Sequence, residues 1–104
     1  MYAIIETVSI SDFEHAQKLL HDDVLPFIQE TPGFVSGHWL APVDGKGMSV
    51  LLFESEEAAR AMADQMQPGR PLNEFVTLDA VEVREVIGTV HQIDDVPMQV
   101  TPLQ

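Results

Sequence analysis

Two adjacent residues, His38 and Trp39, and an arginine near the end, Arg84, are the side chains best suited to chemistry. A histidine titrates near neutrality, so His38 could serve as a general base; a surface or interface histidine is the alternative. Trp39 is the only tryptophan. Its ring could stack on a flat aromatic ligand, or anchor a core or dimer face by burying a large apolar area. Arg84 could hold an anionic or phenolate oxygen, or pair structurally with Glu6 across neighbouring strands. Consecutive strand residues point to opposite faces, so His38 and Trp39 cannot both line one simple pocket. Glu82 and Glu85 fall on opposite faces for the same reason and do not form a catalytic carboxylate pair.

Other constellations fail on spacing. Asp12 and His15 lie one helical turn apart and could share an ion, but two ligands rarely suffice. His15 and His21 fall on different sides of a helix, and His91 belongs to no recognisable pattern. There is no His-Glu-x-x-His and no cysteine in the 104 residues. A metal site is therefore not expected, and disulfides and thiolate catalysis are excluded. Gly45-Lys46-Gly47 does not open a helix after a strand, so it reads as a turn and not a phosphate loop. Phe13, Phe27, Trp39, Met62, Met66 and Phe75 either fill an ordinary core or surround a cavity between helices and sheet. Such a cavity would be apolar and suit a flat hydrophobic molecule.

The elements that must position these residues follow from periodicity. Tyr2–Ile10 is rich in Ile, Val and Thr and predicts a first strand. Ser11 and Glu14 have the spacing of a capping box. Phe13, Ala16, Leu20, Val24, Phe27 and Ile28 then recur on one helical stripe. Pro26 interrupts that stripe, so the helix should bend or restart near Leu25. Thr31-Pro32-Gly33-Phe34 ends it. Val35–Ala41 and Met48–Phe53 predict a hairpin around Asp44-Gly45-Lys46-Gly47. Ser55 caps a second helix that buries Ala59, Met62, Ala63 and Met66 and ends at Pro68-Gly69-Arg70-Pro71. Leu72–Val76 reads as a loop or short turn and Thr77–Val90 as a last strand. Residues 91–104 form a C-terminal extension: a partly ordered tail or an arm laid over a neighbouring subunit.

The order strand, helix, strand, strand, helix, strand predicts an α+β fold of the ferredoxin-like split βαβ kind. Residues 1–90 form one such domain, with a four-stranded antiparallel sheet and both helices on one face. Neither face of the sheet is cleanly polar, so a second sheet from another subunit would cover the spare one. A chain of this size hides about two-thirds of its unfolded surface, and its 45% hydrophobic residues are ample for that core.

The formal charge is −12, from 17 acids against Lys18, Lys46, Arg60, Arg70 and Arg84. Nucleic acid and anionic membranes are bound through clustered Lys and Arg, so neither is an expected partner. The start of the chain has no basic stretch and carries Glu6, unlike a signal peptide. No apolar run approaches the ~20 residues of a membrane span. A cytoplasmic protein is expected.

The bent helix ending LPFIQETPGF, the HWLAP–DGKG–MSVLLFESEEAARA run and the closing VEVREV strand resemble the dimeric α+β barrel superfamily. Within it the likeness is to small antibiotic-biosynthesis-monooxygenase-type domains, over roughly residues 1–90. The resemblance implies a homodimer whose sheets face each other. It also implies cofactor-independent oxygenation of a flat aromatic or quinol-like molecule, with His38 or Arg84 near the anionic oxygen. Non-catalytic ligand-binding or stress-associated dimers and small lactone isomerases are the alternatives. The haem-degrading relatives use an Asn, Trp and His constellation. The single asparagine here, Asn73, lies in the loop before the last strand, and that match fails.

Overall fold

The computed structural model describes residues 1–90. The expected 91–104 extension lies outside the described residues. The chain runs β1 (Tyr2–Ile10), α1 (Phe13–Leu19), a π-helical turn (Leu20–Val24), α2 (Leu25–Gln29), β2 (Phe34–Val43) and β3 (Lys46–Phe53). It continues through α3 (Glu56–Ala63), β4 (Pro71–Asn73) and β5 (Val76–Glu85). The strands form one antiparallel sheet in the order β2-β3-β1-β5-β4. This is the ferredoxin-like arrangement with a fifth strand added at the edge. The addition corrects the four-stranded expectation. Pro71–Asn73 is too short to show a period and begins with a proline, which an edge strand tolerates because no ladder donor is lost.

The first helical region starts one residue later than the capping-box spacing suggests. Asp12 is the cap, and its Oδ1 accepts the His15 backbone N–H at 3.2 Å. Ser11 is drawn away, since its backbone N–H donates to the Phe75 carbonyl at 2.9 Å. The stripe does break where Pro26 requires. Proline lacks the N–H a continuous helix needs and its ring crowds the preceding turn, so one wide π turn absorbs the mismatch and α2 begins at Leu25. The hairpin closes on two residues, Asp44 (φ 53°) and Gly45 (φ 78°). Both occupy the left-handed region that matches the right-handed twist of the flanking strands. Ser55 caps α3 by accepting the Ala58 N–H at 3.1 Å.

Both helical regions cover one face of the sheet. Ile4, Leu51 and Phe53 from the strands meet Ile28 from α2 and Ala59 and Met62 from α3, all of them buried. Small Ala59, fully buried, lets α3 approach the strands closely. The register sorts the rest. Trp39 pairs with Ser49, Ser49 with Glu6, and Glu6 with Val81, a row on the helix-covered face. The neighbouring row, His38, Val50, Ile5 and Glu82, therefore lies on the open face. Ser36, Leu52, Ala3 and Arg84 form a further row on that face. Its centre is apolar and its edges polar.

Candidate functional site

Beside the core, between the helices and the sheet, lies a cavity of about 600 Å³. Glu6, Val8 and Ile10 from β1, Trp39 from β2 and Ser49 from β3 line its sheet side. Phe13, Ala16, Leu20 and Val24 face them from the first helical region, and Met62 and Met66 close a third side. Phe13 and Phe27 are exposed although they line the cavity, so they stand at its mouth. The ring of Trp39 lies over Gly37. A Cβ at Gly37 would come within 2.9 Å of two of the ring's carbons and 3.0 Å of Leu51 Cδ2. Glycine leaves room for the ring to approach the strand this closely.

Glu6 is the unusual member of this wall. It is only 6% exposed, on a face otherwise built from Ile4, Val8 and Ile10. Ser49 Oγ donates to its Oε1 at 2.5 Å, and Ser49 is also buried. Burial raises the carboxyl's pKa above the ordinary glutamate value, and the Ser49 hydrogen bond offsets part of that rise. Ser49 is its sole hydrogen-bonding partner among the described residues. No buried side-chain N or O atom among them lacks a partner, so the second carboxyl oxygen is not sealed in the core but opens on the cavity. The cavity thus offers apolar walls, one indole and one carboxyl.

The expected Glu6–Arg84 pair does not form. Glu6 sits opposite Val81, whereas Arg84 sits opposite Ala3 and points to the open face. There its guanidinium binds Glu82 Oε2, at 2.7 Å from Nη2 and 3.1 Å from Nε. His38 is on the open face too, and exposed. Neither His38 nor Arg84 lines the cavity. Of the apolar candidates, Trp39, Phe13, Phe27, Met62 and Met66 all line it. Phe75 does not; it stacks on His15 with ring centroids 5.2 Å apart. His15 in turn has Nδ1 2.7 Å from Asp12 Oδ2, a contact that locks the start of α1. Asn73 and His21, distant from Trp39 in sequence, reach the wall of the same cavity. Asn73 Oδ1 accepts the Phe75 N–H at 2.8 Å. Among the described residues no group of three or more His, Cys, Asp or Glu could hold a metal ion.

Glu6 and Ser49 are the site residues that sequence reasoning missed. The available signal was an acid in the apolar alternation Ile4, Glu6, Val8.

Comparison with solved structures places this architecture. A haem-degrader, MhuD from Mycobacterium tuberculosis, solved with two haems bound in its active site, superposes with a TM-score of 0.62 at 23% identity. A mutant of MhuD with two manganese protoporphyrin IX molecules bound per active site superposes with a TM-score of 0.65 at 21% identity. Each match covers 88% of this chain and 100% of the other. The ferredoxin-like α+β fold is shared with these structures. At this identity the likeness carries the fold alone. No family model matches the chain, and no curated protein does. No described helix is long and apolar enough to cross a membrane.

Proposed function

We propose that the protein binds a flat, electron-rich aromatic such as a polycyclic phenol or quinol in this cavity and oxygenates it with dioxygen, without a cofactor. The observation that carries the reading is the cavity itself: about 600 Å³, apolar on most sides, with Trp39 in one wall. Drug-sized ligands occupy pockets of about 300–1,000 Å³ with a few placed polar groups. In chemistry of this type the deprotonated substrate itself supplies electrons to oxygen. The protein needs only to bind it, orient it and exclude water. The α+β barrel neighbours hold flat porphyrins in their active sites, which agrees with a planar ligand here.

The working unit of this reading is a homodimer joined through the open sheet faces. Leu52, Val50 and Ile5 give those faces an apolar centre, and His38, Arg84 and Glu82 lie at the edges. An apolar core with a polar rim is the anatomy of a protein interface.

The test is oxygen uptake by the purified protein with a panel of quinols and polycyclic phenols. Uptake tied to substrate loss, and abolished when bulky Trp replaces Ala16 in the cavity wall, supports the reading. Saturable binding without uptake would leave a ligand-binding dimer instead. A second reading, haem as the ligand, has one observation in its favour: Asn73, Trp39 and His21 all wall the cavity. A haem titration followed in the Soret band decides it. Saturation that is lost in His21→Ala favours haem.

A further inference from the structure

Glu6 has no structural reason to be where it is. Leu or Val would fill the same position on the apolar face and would avoid the cost of burying an ionisable group. Ser49, buried with it, spends its hydroxyl on one carboxyl oxygen and leaves the other facing the cavity. No lysine or arginine lines the cavity among the described residues. A ligand carrying its own carboxylate or phosphate would therefore place two negative charges together in a weakly polar space with no cation to offset them. A neutral ligand with a hydroxyl would instead donate to the free oxygen.

Resting on the reading that the cavity takes a flat aromatic, we propose that Glu6 selects a hydroxylated one and accepts the proton of its hydroxyl. In that step the ligand O–H bond breaks, its electron pair stays on the ligand oxygen, and the proton ends on the free carboxyl oxygen of Glu6. One negative charge moves from Glu6 to the ligand, so the net charge of the cavity does not change. Ser49 is the positioning residue: its hydrogen bond fixes the carboxyl plane and aims the second oxygen inward. The raised pKa of Glu6 agrees with this role, because a base works best when its pKa approaches the working pH.

The groups around Glu6 narrow the expected pH response. Trp39 and Ser49 come from β2 and β3, Met62 from α3, Gln65 from the turn that follows it, and Asn73 from β4. The one other titratable side chain on the described wall is His21, from the π turn.

The experiment is calorimetric titration with three probes of one shape: 2-naphthol, 2-methoxynaphthalene and 2-naphthoate. The expected order at neutral pH is naphthol tighter than its methyl ether by about tenfold or more, since a hydrogen bond to a charged group is lost in the ether. Naphthoate should bind weakest. Glu6→Leu should erase the preference for naphthol over the ether. Should that variant fold poorly, Glu6→Gln provides the second measure. Wild-type affinity for naphthol should fall as acid protonates Glu6, and Glu6→Gln should lose that acid limb. Equal binding of naphthol and ether would overturn the proposal while leaving the cavity's aromatic ligand in place. An acid limb that survives in Glu6→Gln and vanishes in His21→Gln would also overturn it. If none of the probes binds, the aromatic-ligand reading falls, and this proposal with it.

Discussion

Replacing Gly37 by alanine should loosen the fold and disturb the cavity together. The added Cβ would sit 2.9 Å from two carbons of the Trp39 ring and 3.0 Å from Leu51 Cδ2, where ordinary contacts begin near 3.4 Å. Relief requires the ring to lift by about half an ångström or more toward the cavity, because the β2 backbone beneath is held by its pairing with β3. Overpacking of this kind costs about 1–3 kcal/mol. Removing a glycine from a strand offsets about 0.5–1 kcal/mol of that. The net expectation is a loss of up to about 2.5 kcal/mol, read as a fall in Tm of several degrees for a domain of this size. Gly88→Ala is the control, since nothing lies within 4 Å of its added Cβ. Because Trp39 is the only tryptophan, its emission reports the ring directly. The assay pairs thermal unfolding with fluorescence. A Gly37→Ala protein with unchanged Tm and an unshifted emission maximum would refute the placement of the indole over Gly37.

Burial raises the Glu6 pKa, so the native chain holds a proton that the unfolded chain has already lost. Its contribution to stability is then complete below the ordinary glutamate value of about 4.3 and is lost as pH rises through the higher native value. Glu6→Gln should accordingly gain stability relative to wild type across that window and level off above it, as urea unfolding at a series of pH values would show. Val50→Lys places a charge at the centre of the open face and should convert a dimer to monomer in native mass spectrometry while leaving the circular dichroism spectrum unchanged. Ser55→Ala removes the α3 cap and should cost about 1 kcal/mol in chemical denaturation.

Much of the fold was legible because it rests on local rules. β1 shows its Ile, Val and Thr content, Pro26 announces the break before α2, Asp44-Gly45 closes the hairpin and Ser55 starts α3. The edge strand β4 was not legible, since three residues carry no period. The site divided along the same line. Trp39, Met62 and Met66 were visible as large apolar residues, and apolar residues gather wherever helices cover a sheet. Glu6 was visible as a member of the Ile4, Glu6, Val8 face, but its partner was misjudged. Alternation assigns faces within each strand. It does not say which face of β5 joins which face of β1. That depends on the pairing register, which brings Val81 and not Arg84 to the side of Glu6.

The register is therefore the feature on which function turns. Sliding one strand by a single residue exchanges its two faces. In β2 such a slip would send Trp39 out to the open face and bring His38 into the cavity. In β1 it would replace the Glu6 carboxyl with Ile5 or Thr7. Several devices guard against this. The two-residue Asp44-Gly45 turn sets Val43 opposite Lys46, and a bulge between Leu40 and Val43 then brings Trp39 opposite Ser49. A bulge at Asp79 resets the β1–β5 pairing between Thr7 and Val8. That bulge is tied in place, with Ser9 Oγ donating to Asp79 Oδ2 at 2.6 Å and Lys46 Nζ donating to Ser9 Oγ at 2.7 Å. The clasp joins β1, β3 and β5 at one end of the sheet, on the face opposite the cavity. An exposed polar cluster on that face thus holds in register the buried row of Trp39, Ser49 and Glu6 on the other.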